Sequence, residues 1–158
     1  MSKYFNLLEL CHSNTADINH IDNTPNEEIK EHLEELMEFL DGLRAAWGSP
    51  IKVTSGYRCP QLNKKVGGSA TSAHMIGYAA DIVPMKGKFK DFADFVKEYL
   101  IDKEFDQLIL ETSSKGSKWI HLGLYNQTGE QRKQLTTPTT KVVGFLGAST
   151  KVLLGGIV

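Results

Sequence analysis

Residues 55–82, SGYRCPQLNKKVGGSATSAHMIGYAADI, constrain this chain more than any other stretch, because they gather Arg58, His74 and Asp81 into one glycine-rich segment. Gly67, Gly68 and Gly77 mark turns in it. His74 and Asp81 lie seven positions apart with Gly77 between them, so the backbone can turn and bring an imidazole and a carboxylate onto one ion. A borderline-soft nitrogen beside a hard oxygen suits zinc. A third ligand must come from elsewhere, and the best-placed candidate is His121 in the strand-like run WIHLGL. His12 and His20 have no partner at metal spacing and read as surface or packing residues, and His32 belongs by its neighbours to the polar face of a helix.

The remaining chain supplies a scaffold. Residues 4–22 read as a short helical turn or two followed by an irregular leader. Thr24-Pro25-Asn26-Glu27 then combines an N-cap, a proline at the first helical position and an acid three residues on, a capping box. Over residues 25–47, Ile29, Leu33, Leu36, Met37, Leu40 and Leu43 recur at helical spacing until Gly48-Ser49-Pro50 stops the run. The acids of that segment lie off the apolar stripe and form a solvated face. Ile51 to Ser55 alternates as a strand and delivers Arg58 beyond its end, and residues 79–83 place Asp81 on a second strand. Phe89, Phe92, Ala93, Val96, Tyr99 and Leu100 give a second amphipathic helix.

Residues 105–111 and 118–124 are strand-like and are joined by six polar or glycine residues, which predicts a β-hairpin. Symmetry about Gly116 sets Glu111 directly opposite His121, with their Cβ atoms about 4.5–5.5 Å apart. Trp119 shares that face, while Ile120 and Leu122 point to the other. Three protein ligands leave a fourth zinc position for water, whose pKa the ion lowers to about 7. Glu111 is then placed to take the proton as water attacks a carbonyl, and Arg58 to hold the substrate and neutralise the oxyanion. This chemistry is metal-assisted amide hydrolysis.

Composition bounds the alternatives. The 158 residues fit one domain, with 41% hydrophobic and 23% charged residues, as is ordinary for a globular protein. A net charge of −1 provides no basic field, which excludes nucleic acid as the expected partner. No uninterrupted apolar run approaches the ~20 residues of a membrane span, so stable membrane insertion is not expected. Cys11 and Cys59 are too few for a disulfide scaffold and read as free thiols. The N-terminal MSKYFNLLELCHSN lacks the pattern of a secretory signal, so synthesis in the cytoplasm is the expectation. Residues 136–158 are apolar but broken by glycines, and are expected to add strands to the domain at 1–135.

The order of four motifs, SGYR, then LN with VGG, then S-x-H-x-x-G-x-A-x-D, then a late I-H-L, resembles the zinc D-Ala-D-Ala carboxypeptidase family. Its relatives include phage L-alanyl-D-glutamate endopeptidases, vancomycin-resistance dipeptidases and the hedgehog signalling domain. The resemblance covers residues 5–135 and is closest to the short phage members. It implies an α+β fold of the hedgehog/DD-peptidase type, with a small antiparallel sheet carrying one zinc ion and helices packed against it. It also implies His74, Asp81 and His121 as ligands and Arg58 as the SGYR arginine, with Asn63 and Ser72 at matching polar positions, Ser72 near the substrate. Glu111 resembles the acid that ends the preceding strand in the hedgehog branch. Several relatives instead carry an acid three residues before the last histidine, where this chain has Lys118, and Trp119 stands where some carry histidine. The implied function is hydrolysis of peptidoglycan stem peptides by a monomeric, endolysin-like enzyme that acts on the wall after release. Removal of a terminal D-Ala and cleavage between L-Ala and D-Glu both remain open. The competing class is a non-catalytic zinc module that binds wall peptides or a protein partner.

Overall fold

A computed structural model describes residues 1–137, and the expectation for the apolar tail beyond them lies outside the described residues. Two short helices, α1 (Leu7–Cys11) and α2 (Asn14–Ile18), precede the long α3 (Glu27–Trp47). Strand β1 (Ile51–Ser55) and helix α4 (Pro60–Lys65) follow, then a 3₁₀ turn at Ala73–Ile76 and strand β2 (Ala79–Pro84). Helix α5 (Phe89–Tyr99) crosses back to the hairpin of β3 (Gln107–Thr112) and β4 (Lys118–Gly123), and β5 (Gln134–Thr136) closes the described chain. No helix among the described residues is long and apolar enough to cross a membrane.

The five strands form one sheet in the order β1-β2-β4-β3-β5. Four of them are antiparallel, as expected for this fold class, whereas β5 runs parallel to β3. The chain leaving β4 turns back past β3 and enters the open edge with Lys133 N donating to Phe105 O and Gln134 N to Asp106 O. Three residues of QLT carry no periodicity that could announce such a strand.

The period of two along each strand divides the sheet into a structural face and a chemical face. Val53, Ala80, Ile82, Leu108, Ile120 and Leu122 turn towards the helices and are buried with Leu33, Leu36, Leu40 and Leu43 of α3 and Phe92 and Val96 of α5. The alternate positions Asp81, Ile109, Glu111, Trp119 and His121 share the opposite face. The helix stripe read from the sequence is thus what fixes the sheet's orientation.

Two local expectations are corrected. Helix α3 is capped by Asn26, whose side chain accepts from Ile29 N at 2.9 Å, and not by Thr24. Thr24 is occupied by Asp22, to which both its backbone N–H and its hydroxyl donate, and asparagine is at least as good a cap as threonine. The hairpin is also offset from symmetry about Gly116: Ile109 stands opposite His121, and Glu111 opposite Trp119. The loop is a three-residue connection in which Gly116 donates to Ser113 O and takes the last, left-handed position, φ +88°. Its centre is therefore Lys115. Because the offset is two residues and not one, Glu111 keeps its face.

Candidate metal centre and cleft

Asp81 is the hub of the chemical face. It lies on the interior strand β2, directly across from His121 on the central strand β4. His74 reaches the same point from the 3₁₀ turn before β2. That turn is started by Ser72, whose hydroxyl accepts from His74 N at 3.1 Å, and is stopped by Gly77 at φ +81°. His32 of α3 braces it, stacking on Tyr78 and contacting Ile76 O through Nδ1 at 2.6 Å. A Cβ at Gly77 would lie 3.0 Å from Ile29 Cγ2 and from Ile29 O. Gly77→Ala is therefore expected to lower stability by at least about 1–2 kcal/mol, the left-handed penalty alone. A reduced urea midpoint at unchanged m-value checks this.

His74, Asp81 and His121 offer ligand atoms that all lie within 4.8 Å of one another. His74 Nε2 stands 3.3 Å and His121 Nδ1 3.2 Å from the same Asp81 oxygen, Oδ1. All three residues are buried, at 2%, 7% and 6% exposure for His74, Asp81 and His121.

The protonation logic of His74 shows what this arrangement fits. Its Nδ1 lies 2.7 Å from the Gly56 carbonyl, which can only accept, so Nδ1 carries the hydrogen and Nε2 the lone pair. Burial, reinforced by the Arg58 charge, pushes the His74 pKa down to about 4, so the ring is neutral at pH 7. Burial opposes ionisation of Asp81, but the His74 and His121 imidazoles beside it outweigh burial and hold its carboxyl well below the usual carboxylate range. A nitrogen lone pair therefore faces a carboxylate oxygen. Buried His74 Nε2 accordingly has no hydrogen-bond partner among the described residues. A cation bound by both is the arrangement that satisfies it.

Arg58 is fixed beside this point. Its Nε donates to Ser55 Oγ at 3.1 Å and its Nη1 to Asn63 Oδ1 at 3.0 Å, while Nη2 lies 3.5 Å from Asp81 Oδ2. Asn63 in turn donates to Ser69 O at 2.9 Å, which makes it the anchor of both arginine and loop. A cleft passes over these groups in two lobes that share Arg58, Gly68 and Asp81. One lobe, of about 260 Å³, is walled by His74, His121, Glu111 and Ser72. The other, of about 390 Å³, is walled by His12, Asn14, Tyr57 and Trp119.

The family model for peptidase M15 matches residues 3–123. The chain belongs to the peptidase M15 family. No curated protein matches it. As an M15 peptidase it is a metallopeptidase, and its His-Asp-His cluster is where a metal fits. The residues singled out in the sequence, Arg58, Ser72, His74, Asp81, Glu111 and His121, all line this one cleft. Sequence reasoning missed His12 of the second lobe, set aside as a surface residue, and the ion pair of Asp106 with Arg132 in the first. Arg132 lies 26 positions from Asp106 and beyond residues 3–123, so no local motif announces the pair.

Proposed function

We propose that this M15 peptidase hydrolyses peptide bonds in the stem peptides of peptidoglycan, using one zinc ion held by His74, Asp81 and His121. The observation that carries the reading is the lone pair of buried His74 Nε2 facing Asp81 Oδ1 in the lobe that Glu111 also lines. Two nitrogens and one carboxylate oxygen are a donor set for a catalytic zinc, which keeps one coordination position open. An ion held there by His74, Asp81 and His121 would supply Lewis acidity for the scissile carbonyl and a lowered pKa for a water.

The chain's own groups do the rest. Glu111 accepts a proton from the attacking water and returns it to the leaving amine. The observed register suits this role better than the symmetric one. An acid directly opposite His121 would sit close enough to compete as a fourth ligand. Glu111 is instead diagonal to His121, about 7–8 Å away along the sheet, which leaves room for water and substrate. Arg58 is held by Ser55 and Asn63 before substrate arrives, so its guanidinium meets the developing oxyanion without reorganising. Ser72 holds the His74 turn and forms part of the substrate wall. The stem-peptide substrate rests on the motif resemblance to D-Ala-D-Ala carboxypeptidases, as does action on the wall after release in the manner of a phage lysin.

The test is incubation of the zinc-loaded protein with defined muropeptide pentapeptides and identification of products by mass. Loss of a single alanine establishes a carboxypeptidase, and a cut between L-Ala and D-Glu an endopeptidase. Intact muropeptides in the presence of one zinc per chain would refute the proposal.

A further inference from the structure

We infer that Arg132, clamped by Asp106, is the receptor for a carboxylate of the substrate, standing in the same lobe as the metal ligands. The inference rests on the peptidase reading above and adds what part of the substrate the cleft selects. Asp106 is 1% exposed, and it engages only one edge of the guanidinium: Nε donates to Oδ1 at 2.7 Å and Nη2 to Oδ2 at 2.8 Å. Arg132 N also donates to Oδ1, at 3.2 Å. Nη1 has no hydrogen-bond partner among the described residues, and the side chain is 37% exposed where it lines the lobe. A planar fork held on one edge presents its other edge ready for a two-point contact with a carboxylate. Because Asp106 fixes it in advance, little side-chain entropy is lost on binding.

Charge favours an anion there once the metal is present. The lobe carries three carboxylates, Asp81, Asp106 and Glu111, against two guanidiniums, Arg58 and Arg132. A divalent ion reverses that sign. Position sets which carboxylate can reach. Asp106 N donates to Gly123 O at 2.9 Å, and Asp106 lies three residues before Ile109, the partner of His121. Three strand residues span roughly 10 Å. An extended peptide covers that in about three residues. The carboxylate therefore belongs to a residue within about three positions of the cut bond, whether a chain terminus or the free carboxylate of a γ-linked D-Glu.

The probes are L-Ala-γ-D-Glu-L-Lys-D-Ala-D-Ala, its C-terminal amide, and its analogue with D-isoglutamine in place of D-Glu. Each is titrated by calorimetry at low temperature into the zinc-loaded protein, into Arg132→Lys, and into the double variant Asp106→Asn/Arg132→Gln, which removes both charges and so avoids a lone buried carboxylate. One amidated probe is expected to bind the wild type at least tenfold more weakly than the parent, and which one identifies the carboxylate. That preference is expected to drop below threefold in the double variant and to an intermediate value in Arg132→Lys, which keeps the charge but not the fork. Equal binding of all three probes by the wild type overturns the inference, as does a preference that survives in Arg132→Lys undiminished. The same mixtures warmed and read by mass report on hydrolysis separately. Uncut probes that still discriminate refute the peptidase reading and leave the carboxylate receptor standing.

Discussion

Asp81→Asn protein is expected to fold and to lose its metal. The carboxylate is the one anion of the proposed ligand set and the shared partner of His74 Nε2, His121 Nδ1 and Arg58 Nη2, at 3.3, 3.2 and 3.5 Å. Replacing it by a neutral amide of the same shape removes a hard oxygen ligand and the charge that offsets the cation. Losing only an outer-shell partner of a metal site costs roughly 10- to 100-fold in affinity, so loss of the ligand itself should exceed about 100-fold. Competition against a zinc chelator measures it. The fold should bear the change at a cost of about 1–3 kcal/mol, because Arg58 keeps Ser55 and Asn63 as acceptors. Zinc affinity within tenfold of wild type would mean that Asp81 is an ion-pair partner and not a ligand.

Glu111→Gln should have the opposite signature: zinc retained at one per chain and turnover reduced by roughly 10²- to 10⁴-fold, the usual worth of a general base. Glu111 lies on the chemical face, 2% exposed and opposite Trp119, so an isosteric amide leaves packing in place while abolishing proton acceptance. Stem-peptide hydrolysis is followed by mass at saturating substrate, with metal content measured on the same sample. The split between the two variants is the informative result. Asp81→Asn fails because no metal is bound, whereas Glu111→Gln fails with metal in place. A Glu111→Gln protein that turns over at the wild-type rate would move the base elsewhere in the lobe.

Much of this arrangement was legible in the sequence, for identifiable reasons. The apolar stripe of α3 and the alternation of β1 are governed by local periodicity, and the period of two along the hairpin strands also put Glu111, Trp119 and His121 on one face. The meeting of His74 and Asp81 was legible because Gly77 permits a left-handed turn between them, and few residues can take that position. The hairpin register was legible only to within two residues, since the turn type decides whether the glycine is the centre of the loop or its last member. The cap of α3 depended on a competition between Asn26 and Thr24 that Asp22 settles through space. Nothing in the order of residues marks the pairing of Asp106 with Arg132, or the parallel entry of β5, because both depend on where the chain returns after β4.

Two of the three proposed ligands stand on interior strands of the sheet, backed by the apolar core, and the third leans on a main-chain carbonyl. In small zinc modules the ion supplies the folding free energy, and chelation melts the domain. Here buried side chains of two helices back those strands, unlike a module whose core is its metal. An ion taken up there would meet strands already ordered by burial, and its entry would call for no refolding of the chain.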